Sequence, residues 1–486
     1  MILSEHLLNQ RFLITTGIVA LAMVVGLAAG FLTGFSPILL VAAFVAIAVV
    51  IGFFSSFETV ILGLLLVRSS LDVLSDYQIP GLLALGIDAL AILYVAAAIL
   101  TQQPIETDNF WWFFLGWVVL KGLWVVLLPL GGLGMDSALL SDSIREWIRL
   151  FSMVMVYLLV MQLKGKIPPQ KLASILLLGL IVPLSVAALQ VALPLSMLPD
   201  ILVWDPGDDF EVGARINGTL GHPATFSTFT LLFLGLTYWK LTQSVQKLPW
   251  LLLMGILAFF SVSSKSLTGL SMLVIFVFVL SVPRLNNASN VIGAVLFVGF
   301  VFVLFGSSEF GQERFGSLMN TPLLNRDLNW SRTILLSWRD GNSFNWRIAQ
   351  WTFLLDAWRE HPWLGNGIAS SRYLTVFDAL AHNDYVRALA EQGIVGLGLF
   401  LVFLWAQVLR LVKLMAAATR NGGQWTFCLF LLALLCSMML GMLTDNVLTH
   451  TTFFFYWWTL CAIAGWDWNE PTRPMRAQLS SKYSVP

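Results

Sequence analysis

Long apolar runs separated by short polar connections dominate the pattern of this chain of 486 residues. Many runs extend over about 20 residues, the length an α-helix needs to cross the hydrocarbon core of a bilayer. The pattern predicts membrane spans near 12–33, 36–54, 58–71, 81–101, 110–130, 146–163, 172–195, 223–241, 248–264, 267–283, 289–306, 393–413, 425–444 and 451–467. We therefore expect an all-α polytopic membrane protein with about 12–14 transmembrane helices.

Composition agrees with this class. Hydrophobic residues make up 58% of the chain, charged residues 11%, and the formal net charge is zero. A neutral chain has no basic field of the kind that binds nucleic acid. The first apolar run is too long for a signal peptide, so we expect an uncleaved first span. The three cysteines, Cys428, Cys436 and Cys461, lie in apolar segments without metal-ligand spacing and are expected to be packing residues.

The Lys and Arg residues of the connecting loops predict the orientation, because cytoplasmic loops carry an excess of them. Cationic connections occur around 164–171, 240–247, 284, 410–420 and in the C-terminal tail. Four other connections alternate with them: an acidic loop near 200–211, the 263–266 turn, the segment 307–392 and the 445–449 turn. We expect these four to share the extracytoplasmic side, with both termini in the cytoplasm.

The segment 307–392 is the only long hydrophilic stretch, and loops of this length are usually functional or contain helices. We predict an amphipathic helix over 345–359, broken by Pro362, Gly365 and Gly367. The chain thus divides into an N-terminal membrane bundle (1–306), a helical extracytoplasmic loop (307–392), and C-terminal membrane helices with a cytoplasmic tail (393–486).

Every basic residue within 307–392 is an arginine. Guanidinium groups bind phosphate in a bidentate manner, so this bias fits an anionic ligand. Snorkelling at the membrane interface, or pairing with the carboxylates of the same loop, explains any single arginine equally well.

The run from Ala381 to Gly396 concentrates titratable groups directly before a membrane span. Read as a helix, it places His382 and Tyr385 on one face, while Arg387 and Glu391 pair at i, i+4 on another. A lone histidine is more often a packing or capping residue than a catalyst. Packing is also the simpler role for Tyr385.

Three other clusters are expected on the same side. Arg215 precedes a glycine-rich stretch that ends at His222 and Pro223, at the mouth of a span. Ser264, Lys265 and Ser266 form a hydroxyl-rich turn between two apolar helices, where Lys265 is either functional or snorkels. Arg68 and Asp72 close an early span, where a local ion pair is as good an explanation as a site.

Four further polar residues have simple structural interpretations. His222 is expected to begin a helix and His361 to cap one, while Asp445 and His450 are expected to be solvated.

These motifs resemble the O-antigen ligase and O-antigen/exopolysaccharide polymerase superfamily. The resemblance rests on His382-Asn383 followed by Gly393 and Gly396, on the preceding Arg347 and 361–367 run, and on the 264–269, 215–223 and 68–72 blocks, so it covers roughly residues 60 to 460. It implies a bacterial inner-membrane glycosyltransferase with a GT-C-like fold and an undecaprenyl-diphosphate-linked glycan as donor. It also implies essential roles for His382, Arg215 and the cation of the 263–266 turn. In that turn Lys265 stands where ligases commonly carry Arg.

The chemistry of the reaction assigns roles to these residues. Displacing a lipid diphosphate from a sugar C1 requires a base for the acceptor hydroxyl and cations for the leaving group. We expect His382 to be the base, with Asp384 or Glu391 orienting it, and Arg215, Lys265, Arg347 and Arg387 to bind the diphosphate. Ser264, Ser266, Tyr385, Arg68 and His222 are supporting candidates. No metal ligands or cofactor motif stand out, so a metal-independent, inverting reaction is expected.

Three functions are open at this point. The 264–268 turn and the His-Asn-Asp-Tyr-x-Arg motif resemble those of exopolysaccharide polymerases more, which favours a polymerase that joins lipid-linked repeat units, with a chain-length regulator as an expected partner. A ligase that attaches the glycan to lipid A–core or another acceptor is the alternative. A small-solute transporter ranks third, because transporters tend to show inverted repeats and midplane polar sites, whereas the polar residues here collect at one face.

Overall fold

The computed structural model describes residues 47–130, 137–204, 215–284, 288–307, 311–312, 316 and 343–468. These residues form helices and no strand. After a helical run over 47–55, the α-helices in chain order are α1 (Phe57–Val67), α2 (Ile79–Leu100), α3 (Asn109–Leu130), α4 (Ser137–Met161), α5 (Pro169–Leu176), α6 (Ile181–Ala192), α7 (Pro223–Gln243), α8 (Leu248–Ser263), α9 (Leu267–Ser281), α10 (Ala288–Gly306), α11 (Ser343–Glu360), α12 (Asp384–Ala417), α13 (Gly423–Gly441) and α14 (Thr451–Ala464).

The helices confirm the class expected from the apolar pattern, a multi-pass all-α membrane protein. Within the described ranges, five helical segments are long and apolar enough to cross a bilayer: Ile79–Leu100, Asn109–Val126, Pro169–Ala192, Asp384–Ala417 and Gly423–Gly441. Shorter apolar helices of 10–17 residues accompany them. The loop helix expected over 345–359 is confirmed as α11.

Some boundaries differ from the sequence prediction. The α4 helix begins at Ser137, nine residues before the expected start of its span. The span expected over 172–195 is divided by a 3₁₀ turn at Leu177–Leu180. The span expected near 12–33 and most of that near 36–54 lie outside the described residues, as do the loop arginines at 314, 326, 332 and 339 and the basic tail.

Three helices form the centre of the bundle. Most residues of α7 and α13, and nearly all of those of α14, are buried, and α7 packs against both of the others. Cys428 and Cys461 are buried here as free thiols, which confirms their expected packing role. By contrast, α2, α8 and α10 keep large apolar side chains exposed, including Ile99, Leu252 and Val303. In water such a surface would be unfavourable, but it suits contact with lipid.

A break at Gly393 divides α12 into a short segment and a long one. Gly393 has φ +67° inside the helix, a left-handed conformation that favours glycine. The break frees backbone groups that bond to the chain at 362–367. The N–H of Gly367 donates to the carbonyl of Glu391 at 2.6 Å, and the N–H of Ile394 donates to that of Pro362 at 2.9 Å. Two motifs that are separate in sequence therefore form one backbone unit, and the chain turns into the next span at Gly393.

Replacing Gly393 should destabilise this unit. A Cβ atom there would lie 2.2 Å from the carbonyl of Trp363, and the left-handed conformation adds strain. We expect Gly393→Ala to lower the free energy of unfolding by ~2 kcal/mol or more, measured by thermal unfolding in detergent. Gly398→Ala is the matched control, because Gly398 lies in the same helix and a Cβ atom there would meet no neighbouring group within 4 Å. Equal midpoints for the two variants would refute the close approach.

Candidate active site

Four helices begin at the same end of the bundle, and their N-terminal residues surround one cluster of charges. His222 caps α7, accepting the N–H of Ala224 at Nδ1. Ser266 caps α9 and Asn383 caps α12 through their side-chain oxygens. His450 is the N-cap residue of α14. Helix N-termini carry partial positive charge and attract anions, so their convergence favours a negatively charged ligand.

Side chains from separate parts of the chain interact electrostatically at this end. His382 lies close enough to Arg347 of α11 and to Asp445 for both to affect its ionisation. Asp445 in turn interacts with His222 and His450. The cluster therefore comprises the following ionisable groups: Arg215, His222, Arg347, His382, Asp445 and His450. Connections expected on one side of the membrane meet here.

His382 lies outside the helix that the sequence predicted for it. The helix begins at Asp384, because Asn383 adopts an extended conformation and accepts the N–H groups of Tyr385 and Val386 at 3.0 Å. His382 itself has φ +48°, in the left-handed region. Assigning His382 to the helical face was therefore wrong. Its ring instead packs against the edge of Trp346 of α11, with centroids 5.3 Å apart.

The environment of His382 keeps its imidazole neutral. Burial, and then the positive charge of Arg347, lower its pKa to about 4, although Asp445 acts in the opposite direction. Its Nδ1 is buried without a hydrogen bond of normal geometry among the described residues, with the carbonyl of Leu380 close by. A neutral imidazole at pH 7 is able to accept a proton.

The other two histidines of the cluster, His222 and His450, are also in surroundings that lower the pKa of the imidazole. Desolvation by the surrounding protein lowers the pKa of His222 to about 4, and part of its side chain remains exposed. Burial also lowers the pKa of His450, whose Nδ1 lies 3.0 Å from Oγ1 of Thr228. For Asp445, burial acts to raise the pKa, but His450 and Arg347 outweigh it and lower the pKa. Asp445 is thus a buried carboxylate among cations and imidazoles.

Arg215 lies against the turn that contains Lys265. Its guanidinium donates to the carbonyls of Ser264 at 3.2 Å and Lys265 at 3.1 Å, and it stacks over Trp204. Ser264 donates its hydroxyl to the carbonyl of Ser261, so its role here is structural. The structure therefore joins the 215–222 and 263–266 segments, two of the blocks that carry the resemblance.

Arg68 and Asp72 lie next to the cluster, at the start of α14. The two residues form the expected ion pair at 2.6 Å, and Arg68 also donates to Oγ1 of Thr451 at 2.7 Å. Asp72 accepts the hydroxyl of Thr452 and interacts electrostatically with His450. This pair holds the start of α14, and through it His450, in place.

Arg387 occupies a different network. It pairs with Glu391 at 3.0 Å, as the i, i+4 spacing predicts, and approaches Glu146 of α4 at 3.6 Å. Glu391 also accepts the hydroxyl of Ser371 at 2.7 Å. A cavity of about 80 Å³ lies beside this network, and Lys121, which donates to Gln392, lines it too. Arg387 and Glu391 therefore connect α12 with α4 and the 370–372 segment.

The side chains of Asp384 and Tyr385 also form their hydrogen bonds with groups other than the ring of His382. The carboxylate of Asp384 accepts the N–H of Leu448 at 3.0 Å, and the hydroxyl of Tyr385 donates to the carbonyl of Met439 at 2.8 Å. Tyr385 packs on Phe400, in line with its packing interpretation. Asp384 and Glu391, the expected orienting partners of His382, thus have other partners, and Asp445 is the carboxylate whose charge acts on His382.

Sequence reasoning missed Asp445 and Asn446. A short polar turn between two apolar helices is normally solvated, and solvation was the expectation for Asp445. The structure instead buries both side chains, at 6% and 7% exposure. One signal was present: a carboxylate is costly next to a membrane unless it is paired, so an Asp between two apolar runs points to a partner.

No group of three or more His, Cys, Asp or Glu side chains within the described ranges is arranged to hold a metal ion.

Comparison with known protein families indicates which proteins this chain is similar to. Residues 249–401 match the family model described as O-antigen ligase. This segment is similar to O-antigen ligases. It includes Lys265, Arg347, His382 and Arg387, whereas Arg215, His222 and Asp445 lie outside it. No curated protein matches the chain. The match supports a multi-pass membrane enzyme of the O-antigen ligase and polymerase type that handles glycans.

Proposed function

We propose that this enzyme transfers glycan from an undecaprenyl-diphosphate-linked donor, on the extracytoplasmic face of the bacterial inner membrane. The observation that carries the proposal is the convergence of four helix N-termini with Arg215 and Arg347 around His382 and Asp445. This arrangement concentrates positive potential at one point and sets a neutral base beside it. A diphosphate leaving group and a hydroxyl nucleophile need these two features.

In the proposed reaction the acceptor hydroxyl attacks C1 of the donor sugar. His382 takes the hydroxyl proton as the new C1–O bond forms, and Asp445 stabilises the resulting imidazolium. The bond between C1 and the diphosphate oxygen breaks, and undecaprenyl diphosphate leaves with the electron pair. One displacement of this kind inverts the configuration at C1.

The leaving group is stabilised by fixed positive charge. Arg215, Lys265 and Arg347 are the proposed cations, helped by the N-terminal ends of α7 and α9. These cations take the part that a metal ion plays in other phosphate chemistry, so we propose a metal-independent reaction. Arg387 is left out of this set, because its guanidinium is paired with Glu391 and Glu146.

A neutral His382 fits a base that becomes stronger when the donor binds. Arg347 contributes to the lowered pKa of the free site, after burial. A diphosphate placed against Arg347 would offset that positive charge and raise the pKa of His382. The donor would thereby activate the base at the moment the acceptor needs it.

We propose the end of another lipid-linked glycan as the acceptor, which makes the protein a polymerase. The Lys265 turn and the His-Asn-Asp-Tyr-x-Arg motif favour this reaction. Ligation of the glycan to lipid A–core or another lipid acceptor is the second candidate, and the match to the O-antigen ligase family favours it.

The test is a reaction of the purified protein with lipid-linked oligosaccharide in EDTA. A polymerase yields a ladder of lengthened lipid-linked glycans from donor alone. A ligase yields a new glycolipid only when the acceptor lipid is added. Flux of substrate into proteoliposomes without any new glycosidic bond would instead identify a transporter and sink the proposal.

A further inference from the structure

The turn at 442–450 is bound by hydrogen bonds to the segment that carries His382. The backbone N–H of His382 donates to Oδ1 of Asn446 at 2.8 Å. The N–H of Asp384 donates to the carbonyl of Met442 at 2.8 Å, and the N–H of Leu448 donates to Oδ2 of Asp384 at 3.0 Å. Two loops far apart in sequence are therefore fixed side by side.

The hydrogen bond to Asn446 stabilises an unusual backbone conformation at His382. His382 adopts a left-handed conformation, which costs a residue with a side chain about 1 kcal/mol or more. Such a conformation persists only where the surroundings hold it. Asn446 is buried at 7% exposure, so removing its side-chain oxygen would leave the N–H of His382 without that acceptor in a poorly solvated place.

The same turn also supplies a negative charge that acts on the imidazole of His382. Asp445 precedes Asn446, and its Oδ1 accepts the N–H of Asn446 at 2.8 Å. The anchor of the His382 backbone and the carboxylate beside its imidazole are thus adjacent residues of one turn. Both lie outside the segment that matches the family model.

We propose that Asn446 is a positioning residue, whose side-chain oxygen holds the backbone of His382 in the orientation that packs its imidazole against Trp346 of α11. The inference rests on the proposed function, because it presumes that His382 is the base. Asn446 touches neither donor nor acceptor in this account. It acts only through the backbone of His382.

A pair of substitutions at Asn446 separates the acceptor from the side chain. Asn446→Leu keeps the volume but removes the acceptor, and we expect kcat to fall about 10- to 100-fold with KM nearly unchanged, because misplacing a reacting group has costs of this order. Asn446→Asp keeps an acceptor oxygen, so we expect it to retain most of the turnover.

The pH profile supplies a readout that a merely structural role would not move. The charged and titratable groups that act on His382 are Arg347 on α11, Asp445 on the turn and His222 before α7, and Asp445 also interacts with His450. Asn446→Asp adds a negative charge to this set. We expect the acid limb of kcat/KM to move to higher pH by about one unit.

Gln424→Leu is the matched control. Its side-chain amide donates to the carbonyl of Ala464 at 3.1 Å, at the other end of α13, so the variant loses a comparable hydrogen bond far from the site. Wild-type kcat in Asn446→Leu, or an unmoved acid limb in Asn446→Asp, would overturn the inference. If His382→Ala is fully active, the proposed function itself fails. If His382→Ala is inactive while Asn446→Leu is unaffected, only the role of Asn446 is refuted.

Discussion

His382→Ala should lose about 10²- to 10⁴-fold in the rate of glycan transfer, the usual contribution of a general base. The substitution removes the imidazole on which the charges of Arg347 and Asp445 act. The backbone hydrogen bond from position 382 to Asn446 is retained, so the protein should still fold. The rate is measured as new glycosidic bonds formed per minute by purified protein with saturating lipid-linked donor.

His361→Ala is the control for this prediction. His361 lies in the same loop region directly after α11, and it is exposed, away from the cluster. We expect wild-type activity for this variant. A similar loss in both histidine variants would mean that the loop is merely sensitive to substitution, and full activity of His382→Ala would remove the base assignment.

Arg347→Gln should lower kcat about 10²- to 10³-fold, the range found when one fixed donor to developing negative charge is removed. The substitution should also move the pH dependence. Arg347 holds the pKa of His382 down, after burial, so its loss favours the imidazolium and raises that pKa. The acid limb of kcat/KM should therefore begin at a higher pH in the variant than in the wild type, which a pH series on the free enzyme measures.

Arg359→Gln is the matched control on the same helix. Arg359 is exposed, and its guanidinium pairs with Asp356 one turn away. This variant should keep both the rate and the pH profile of the wild type. If Arg347→Gln lost activity but its acid limb stayed in place, the electrostatic link between Arg347 and His382 would be refuted.

Local pattern predicted most of the helices. Apolar runs of span length, Pro223 at a helix start and the Pro and Gly residues after α11 are local signals, and the structure confirms the elements they predict. The prediction that failed also rested on a local signal. The sequence favoured a helix through His382, but Asn383 accepts the first amide groups of α12 as its N-cap, so the helix begins only after it.

The candidate site was predictable where polar or titratable residues lie directly next to an apolar run. His382, Arg215 and Lys265 stood out for that reason. Their partners could not be found in this way, because partnership depends on which loops meet in space. Asp445 reads as a solvated turn residue until the fold buries it beside three histidines. Likewise, the pairing of Arg387 with Glu391 follows from helix spacing, whereas its approach to Glu146 needed the packing of α12 on α4.

Release of free undecaprenyl diphosphate tests the central claim most directly. Purified wild-type protein and the His382→Ala variant would be given the same lipid-linked oligosaccharide in EDTA, and free undecaprenyl diphosphate and new glycosidic bonds would be counted together. We predict one molecule released for each bond formed by the wild type, and a loss of at least about 10²-fold of both in the variant. Bond formation by the variant at the wild-type rate, or no release of undecaprenyl diphosphate by the wild type, would contradict the account.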